Sequence, residues 1–139
     1  MKKYFFLIVV AITLSCNKDK VVSNNPYLQD VSFAKDINTS FPSYSGLQFP
    51  SNPVLITDAG VGIKGIVVMK VGTDDYRAYE ASCPNHYPST CSLMEIDGIN
   101  VTCPCENYTY SLYTGVGNAQ YPLKAYRTEI NGSIIRVYN

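Results

Sequence analysis

Two cysteine-containing stretches decide the fold of this chain, Cys83-Pro-Asn-His-Tyr-Pro-Ser-Thr-Cys91 and Cys103-Pro-Cys105-Glu106. We name residues 83–91 the first box and residues 103–106 the second box. Together they hold four of the five cysteines and, at His86, the single histidine of the 139-residue chain. Thiols and an imidazole in two short segments indicate either cross-links or a metal site. Four cysteines allow three disulfide pairings, and spacing alone does not choose among them.

The N-terminus has the pattern of a bacterial lipoprotein signal peptide. Two lysines at residues 2–3 precede an apolar run over residues 4–14. That run is well short of the ~20 apolar residues that a transmembrane helix needs. Residues 13–16 resemble a lipobox, which implies cleavage before Cys16 and lipidation of its thiol. The alternative is an ordinary secretory signal with a chance cysteine near its end.

Lipidation of Cys16 predicts a protein held on the bacterial cell envelope. Asn17 is not an acidic inner-membrane retention signal of the enterobacterial type, so the outer membrane is favoured over the inner. Removal of Lys2 and Lys3 leaves 9 basic residues of the original 11 against 11 acidic ones, a net charge of −2. A negative net charge is not typical of proteins that bind nucleic acids. The expected partners are the membrane, through the lipid on Cys16, and an unidentified protein or small molecule.

The chain divides into three predicted segments. Residues 1–15 form the lipoprotein signal peptide, and residues 16–33 carry the lipidated cysteine and a flexible polar tether. Residues 34–139 form one folded domain, since about 100 residues suffice for a single core.

The folded domain is predicted to be all-β. Three pairs of β-rich segments flank turn signals, at residues 72–75, at Asp97-Gly98 and at Asn131-Gly132, which predicts three hairpins. Many short strands with close turns are typical of a small antiparallel sandwich or barrel. Residues 44–53, with one Gly and two Pro, are predicted to be a loop. Residues 31–38 are predicted to be irregular or extended, with a helix as the alternative.

The two boxes resemble the cluster-binding loops of Rieske iron–sulfur domains, which carry Cys-x-His in a first loop and Cys-x-x-His in a second. Cys83 and Cys103 stand where the two cysteine ligands belong. The order and spacing of further residues also match the family: Tyr110, Leu112, Thr114-Gly115, Pro122-Leu123, Tyr126 and Asn131-Gly132. The resemblance covers roughly residues 54–139. It implies a Rieske-like fold, with a small antiparallel β-sandwich or barrel and a cluster-binding-type subdomain that carries both boxes.

The departures from the family concentrate on the metal ligands. Asn85 and Glu106 stand at the two histidine positions, and His86 lies one residue beyond the first of them. An amide is a poor iron ligand, and a carboxylate suits harder metal sites than a sulfide cluster. Family membership implies a [2Fe–2S] electron carrier. The lost ligands instead favour a degenerate domain without a cofactor, used for binding or structure.

The resemblance also implies a disulfide pairing. Two thiolates on one tetrahedral iron lie about 3.7 Å apart, so without iron Cys83 and Cys103 can close a bond. Rieske proteins of respiratory cytochrome complexes also join the second cysteines of the two boxes, which here are Cys91 and Cys105. We therefore expect two disulfides in place of the cluster, each worth about 3 kcal/mol through loop closure.

Three alternatives stay open for the boxes. One is a [2Fe–2S] electron-transfer protein with non-standard ligands, in which His86 joins and Cys105 or Glu106 fills the last position. The second is a zinc or copper site made by Cys83, His86, Cys103 and Cys105. The third is a catalytic Cys–His pair, which is disfavoured because paired cysteines leave no free thiol. We expect no catalysis by the chain alone, and His86 is predicted to be an exposed loop residue.

A group of tyrosines follows the second box. Tyr108 and Tyr110 share one strand face by alternation, with Tyr113, Tyr121 and Tyr126 nearby in sequence. Such a group either forms a binding surface or covers a small core with its hydroxyls in water. The second interpretation is favoured.

Overall fold

The computed structural model describes residues 24–139, so the predicted signal peptide, Cys16 and the first part of the tether lie outside the described residues. In residues 24–139 the chain forms nine strands and one short helix: β1 (Ala34–Asn38), a 3₁₀ helix (Pro42–Gln48), β2 (Val54–Ile56), β3 (Ile66–Gly72), β4 (Asp75–Glu80), β5 (Glu95–Asp97), β6 (Asn100–Thr102), β7 (Thr109–Ser111), β8 (Ala125–Asn131) and β9 (Ile134–Tyr138). None of the helical structure over that range is long and apolar enough to cross a bilayer.

The strands form two antiparallel sheets. The larger sheet has six strands in the order β1-β9-β8-β4-β3-β2, and the smaller has three in the order β5-β6-β7. The all-β prediction is confirmed, as are the three hairpins, β3–β4, β5–β6 and β8–β9. The helix alternative over residues 31–38 is wrong, because β1 pairs with β9 along its whole length. The predicted loop over residues 44–53 contains most of the 3₁₀ helix, whose first turn holds Pro42 with the backbone angle that a helix start needs.

Strand β3 separates two hydrophobic cores. Its side chains alternate, so Ile66 and Val68 face the first core while Val67 and Met69 face the second. A strand buried on both faces has a continuous apolar sequence instead of an alternating one. The second core lies beneath the two boxes and includes the buried residues Met94, Val101, Leu112, Cys83 and Cys103. The boxes therefore lie on the same core that packs against the β3–β4 hairpin.

A buried carboxylate at the end of β4 joins three parts of the fold. Glu80 is fully buried. Its Oε2 accepts hydrogen bonds from the backbone N–H of Ile63 at 2.7 Å and the hydroxyl of Tyr126 at 2.6 Å. Its Oε1 accepts from the backbone N–H groups of Lys64 and Ser82, each at 2.9 Å. Four donors satisfy a charge that burial would otherwise make costly.

The loop that donates to Glu80 needs a glycine at residue 62. Gly62 has φ +64°, and a Cβ there would lie 2.5 Å from the carbonyl oxygen of Gly65 and 2.7 Å from Oε2 of Glu80. Any larger residue would collide with the backbone and separate the loop from the carboxylate.

The segment before β1 packs against the domain. Leu28 is buried, the side-chain amide of Asn25 donates to the carbonyl oxygen of Pro84 at 2.7 Å, and the buried amine of Lys124 pairs with Asp30. The predicted tether extended to residue 33. The packed part of the chain begins earlier, because Asn25 holds this polar segment on Pro84 of the first box and Asp30 pairs with Lys124, the residue before β8.

The tyrosines do not form one surface. Tyr126 belongs to the first core and Tyr110 to the second, whereas Tyr113 is exposed. Burial raises the pKa of Tyr126, and the adjacent Glu80 carboxylate raises it further. Burial also raises the pKa of Tyr110 to about 12, although the hydrogen bond from Asn85 opposes part of that rise.

Replacement of Glu80 by Gln tests the buried carboxylate. An amide presents an N–H group to donors that need an acceptor, so E80Q should lower the free energy of unfolding by about 2–4 kcal/mol. Tyr126→Phe, which removes one of the four donors, should cost about 1 kcal/mol. Urea denaturation measures both. The matched control is Glu95→Gln on exposed β5, and equal stability of E80Q and E95Q would contradict the assignment.

The buried tyrosines predict a loss of stability at high pH. The pKa of Tyr110 is about 12 in the folded protein, against about 10 in the unfolded chain. Its contribution is complete below pH ~10 and disappears as the pH rises towards 12, because the unfolded chain then binds fewer protons. Denaturation midpoints measured between pH 8 and 12 should fall above pH ~10, and Tyr110→Phe should make that fall smaller. A fall of equal size in Y110F would contradict the role of Tyr110.

Candidate functional site

The two boxes meet above the second core. The first box begins three residues after β4 ends, and the backbone N–H of Cys83 donates to the carbonyl oxygen of Ser92 at 2.8 Å. The second box lies in the turn between β6 and β7, where Asn107 has φ +58°. There the N–H of Cys103 donates to the carbonyl oxygen of Tyr108, and the N–H of Asn107 donates back to that of Cys103, both at 2.8 Å. Backbone hydrogen bonds thus fix both loops.

Two disulfides connect the boxes. Cys83 bonds to Cys103 with the Cα atoms 5.5 Å apart, and Cys91 bonds to Cys105 with the Cα atoms 5.3 Å apart. These are the two pairs that the family resemblance implies. The first bond lies between fully buried residues, whereas Cys91 is exposed. The inner cross-link, Cys83–Cys103, therefore belongs to the core, and the outer one joins exposed Cys91 to Cys105, which packs against the same core.

Asn85, at the first histidine position of the Rieske pattern, is a hydrogen-bonding centre. Its amide nitrogen donates to the hydroxyl of Tyr110 and to the carbonyl oxygen of Tyr121, each at 2.8 Å. Its amide oxygen accepts from the backbone N–H of Tyr121 at 2.9 Å. Both ends of the amide are occupied, so Asn85 joins the first box to residues 110 and 121 and offers no free ligand atom at this position.

His86 lies partly buried beside the inner disulfide, so the prediction of an exposed loop histidine is corrected here. Its Nε2 is 3.5 Å from the Sγ of Cys103, and its Nδ1 is 2.8 Å from the carbonyl oxygen of Tyr87. A carbonyl oxygen only accepts, so the neutral ring carries its proton on Nδ1 and turns the lone pair of Nε2 towards the sulfur.

Four potential ligand atoms converge at this point. The Sγ atoms of Cys83, Cys103 and Cys105 and a ring nitrogen of His86 all lie within 4.8 Å of one another. The structure brings together four of the five residues considered as metal ligands. The fifth, Glu106, is exposed and does not belong to the group.

These residues do not fit a Rieske cluster. That cluster needs two thiolates on one iron and two imidazoles on the other. The chain has one histidine, the amide of Asn85 is held by Tyr110 and Tyr121, and Glu106 points into solvent. A two-iron cluster also separates its two ligand pairs, whereas the donors here crowd within 4.8 Å. The residues present therefore do not supply the ligands that a Rieske cluster needs.

The sequence did not indicate the role of Asn85 or of Tyr121. In the sequence, Asn85 is distinguished only because it stands at a position where the Rieske pattern has a histidine. Its partners are 25 and 36 residues away in the chain, so no local pattern marks them. The resemblance places Tyr110 near the second box, but only the fold shows that its hydroxyl reaches the first.

Exposed apolar side chains are frequent in the first box and in the residues that follow it. Ten large hydrophobic residues are exposed in the described part of the chain, and six of these lie between residues 87 and 116: Tyr87, Leu93, Ile96, Ile99, Tyr113 and Val116. Leu93 and Ile96 line one pocket together with Cys91 of the first box and Pro104 of the second, and apolar side chains that gather in one part of a surface are typical of interaction sites.

No protein-family model matches the chain, and no curated protein matches it. Solved structures do match. The apo form of a quaternary ammonium Rieske monooxygenase aligns with 81% of this chain at 14% identity and a TM-score of 0.52. The alignment covers 34% of that enzyme, so this chain corresponds to about a third of its length.

Two smaller proteins also match. The plasma membrane Rieske protein of the cyanobacterium Synechocystis PCC 6803 aligns over 61% of this chain and 84% of its own, at 19% identity and a TM-score of 0.47. The ferredoxin of carbazole 1,9a-dioxygenase from Nocardioides aromaticivorans IC177 aligns over 64% of this chain and 86% of its own, at 20% identity and a TM-score of 0.44. At such identities the likeness concerns the fold alone. Two antiparallel sheets, with the first box between them in the chain and the second box between two strands of the smaller sheet, together with the match to the monooxygenase, give this chain a Rieske-like fold.

Proposed function

We propose that this chain is a lipid-anchored protein of the bacterial cell envelope whose Rieske-like domain holds two disulfides in place of an iron–sulfur cluster and serves in binding or structure. The observation that carries the proposal is the hydrogen bonding of Asn85. This amide makes three hydrogen bonds that join the first box to residues 110 and 121, so the side chain at the first histidine position holds the loop and is not available to a metal.

The cross-links support the same proposal. A small secreted domain gains about 3 kcal/mol from each unstrained disulfide, because the bond restricts the unfolded chain. Cys83–Cys103 spans 20 residues and Cys91–Cys105 spans 14. Both bonds tie the first box to the second, which is the task that a cluster performs in a Rieske domain.

The binding role is supported by exposed apolar side chains beside the boxes, namely Tyr87 in the first box and Leu93 and Ile96, which line a pocket with Cys91 and Pro104. Tyr87 is 68% exposed, and Leu93 and Ile96 are each about a third exposed. The expected partner is a protein or a small molecule with apolar surface. A nucleic acid is not expected, since the mature chain carries a net negative charge.

Alkylation with mass measurement tests the cluster-free state. The exported full chain is extracted in mild detergent and then denatured in the presence of iodoacetamide, without and with a reductant. It should take up no label before reduction and four labels after it, one each on Cys83, Cys91, Cys103 and Cys105. The protein should be colourless and free of iron. Two or more labels before reduction, with a red-brown colour and bound iron, would instead establish an electron carrier with non-standard ligands.

Replacement of Cys16 tests the anchor. The full chain expressed in a bacterium should sediment with membranes and carry the added mass of acyl chains, whereas Cys16→Ser should carry no acyl mass and keep the mass of its uncleaved signal. Cys91→Ser, which leaves the lipobox intact, is the matched control and should keep the acyl mass of the wild type. A wild-type chain without added mass would contradict the proposed anchor.

A further inference from the structure

We propose that reduction of the two disulfides turns the box region into a binding site for a single thiophilic cation, with Zn²⁺ as its representative, held by the Sγ atoms of Cys83, Cys103 and Cys105 and by Nε2 of His86. The inference concerns the same residues as the proposed function and rests on the absence of a cluster there. It adds a second, reduced state with its own ligand.

The distances fit one ion. Zinc bonds of about 2.3 Å to sulfur and 2.0–2.1 Å to nitrogen, in a tetrahedron, set the ligand atoms about 3.5–3.8 Å apart. The four donor atoms already lie within 4.8 Å of one another. Opening of the inner disulfide requires the two sulfurs to separate by under 2 Å from their bonded distance, which side-chain rotation supplies without movement of the Cα atoms.

His86 is oriented as metal-ligating histidines are. Such residues donate one ring N–H to a carbonyl or carboxylate, which fixes the tautomer and turns the other nitrogen to the metal. Here Nδ1 lies 2.8 Å from the carbonyl oxygen of Tyr87, and Nε2 lies 3.5 Å from the Sγ of Cys103. The imidazole lone pair already points at the position that the cation would share with the sulfur.

The donor set selects the kind of cation. Three thiolates and one imidazole form a soft set that binds zinc and similar thiophilic ions and discriminates against Mg²⁺ or Ca²⁺. The carboxylate that would favour a harder ion, Glu106, is exposed and lies outside the group.

The fourth cysteine of the boxes is excluded from the site. Cys91 is exposed and does not belong to the group of converging ligand atoms. Once reduced, it should remain a free thiol. Cys91 and Cys105 form one disulfide, yet only Cys105 is a ligand, so the two residues make a matched pair for the test.

The chemical step balances with a dithiol as reductant. Each protein disulfide takes two electrons and two protons from one dithiol molecule, which itself becomes a disulfide. The cation then displaces one proton from each of the three ligand thiols and binds neutral His86. Two molecules of a small disulfide reverse the sequence: they take four electrons from the four cysteines, become dithiols with protons from Cys91 and water, and the two protein disulfides re-form as the cation leaves.

The test uses the exported full chain in mild detergent. One sample stays oxidised, and the other is reduced with dithiothreitol under nitrogen and then desalted. Both are titrated with Zn²⁺ against a chromophoric chelator and with Co²⁺, whose absorption reports thiolate ligands. The reduced chain should bind one Zn²⁺ and the oxidised chain less than a tenth as much. Circular dichroism follows the fold throughout.

The variants separate the proposed site from adventitious thiol binding. Cys105→Ser and His86→Ala should weaken Zn²⁺ binding by more than about 100-fold, whereas Cys91→Ser should keep the affinity of the wild type within about threefold. Equal losses in C91S and C105S, binding by the oxidised chain, no binding by the reduced chain, or a reduced chain that zinc does not keep folded would each overturn the proposal. If zinc binding fails while alkylation still gives no labels before reduction and four after it, the proposed function stands without this reduced state.

Discussion

The buried carboxylate of Glu80 is the interaction on which the rest of the structure depends. It lies where β4 ends and the first box is about to begin, and its four donors come from the loop at residues 63–64, from Ser82 and from Tyr126 on β8. These bonds fix the direction in which the chain leaves the sheet. A charge is costly inside a protein unless its lone pairs are satisfied, so the loop, the strand and the first box must take their places together.

From that junction the box region is assembled by contacts between residues distant in sequence. Asn85 holds Tyr110 and Tyr121, the disulfides join the two loops, and both cysteines of the inner bond belong to the second core. A Rieske domain organises the same two loops around a cluster. This chain holds its two loops with amide hydrogen bonds and covalent cross-links, so the arrangement forms with Asn85 and Glu106 at the positions where the Rieske pattern has histidines.

The sequence predicted the features that depend on local patterns. Turn signals such as Asp97-Gly98 located the hairpins, and the order of motifs around Cys83 and Cys103 indicated the fold. It did not predict the role of Glu80, because a glutamate at a strand end ordinarily faces water. The packing of Leu28 and Asp30 was also missed, since a polar segment with one leucine is typical of a linker. The approach of His86 to Cys103 depends on the path of the first box, which spacing does not determine.

The contact between Asn25 and Pro84 has a consequence for where the boxes lie in the cell. Asn25 is nine residues after Cys16, and a fully extended chain of that length spans at most about 32 Å. With the proposed lipid on Cys16, the first box stays within that distance of the bilayer however the domain turns. A partner for this surface is then met beside the membrane, where a protein confined to the same bilayer has a higher effective concentration than one that diffuses freely.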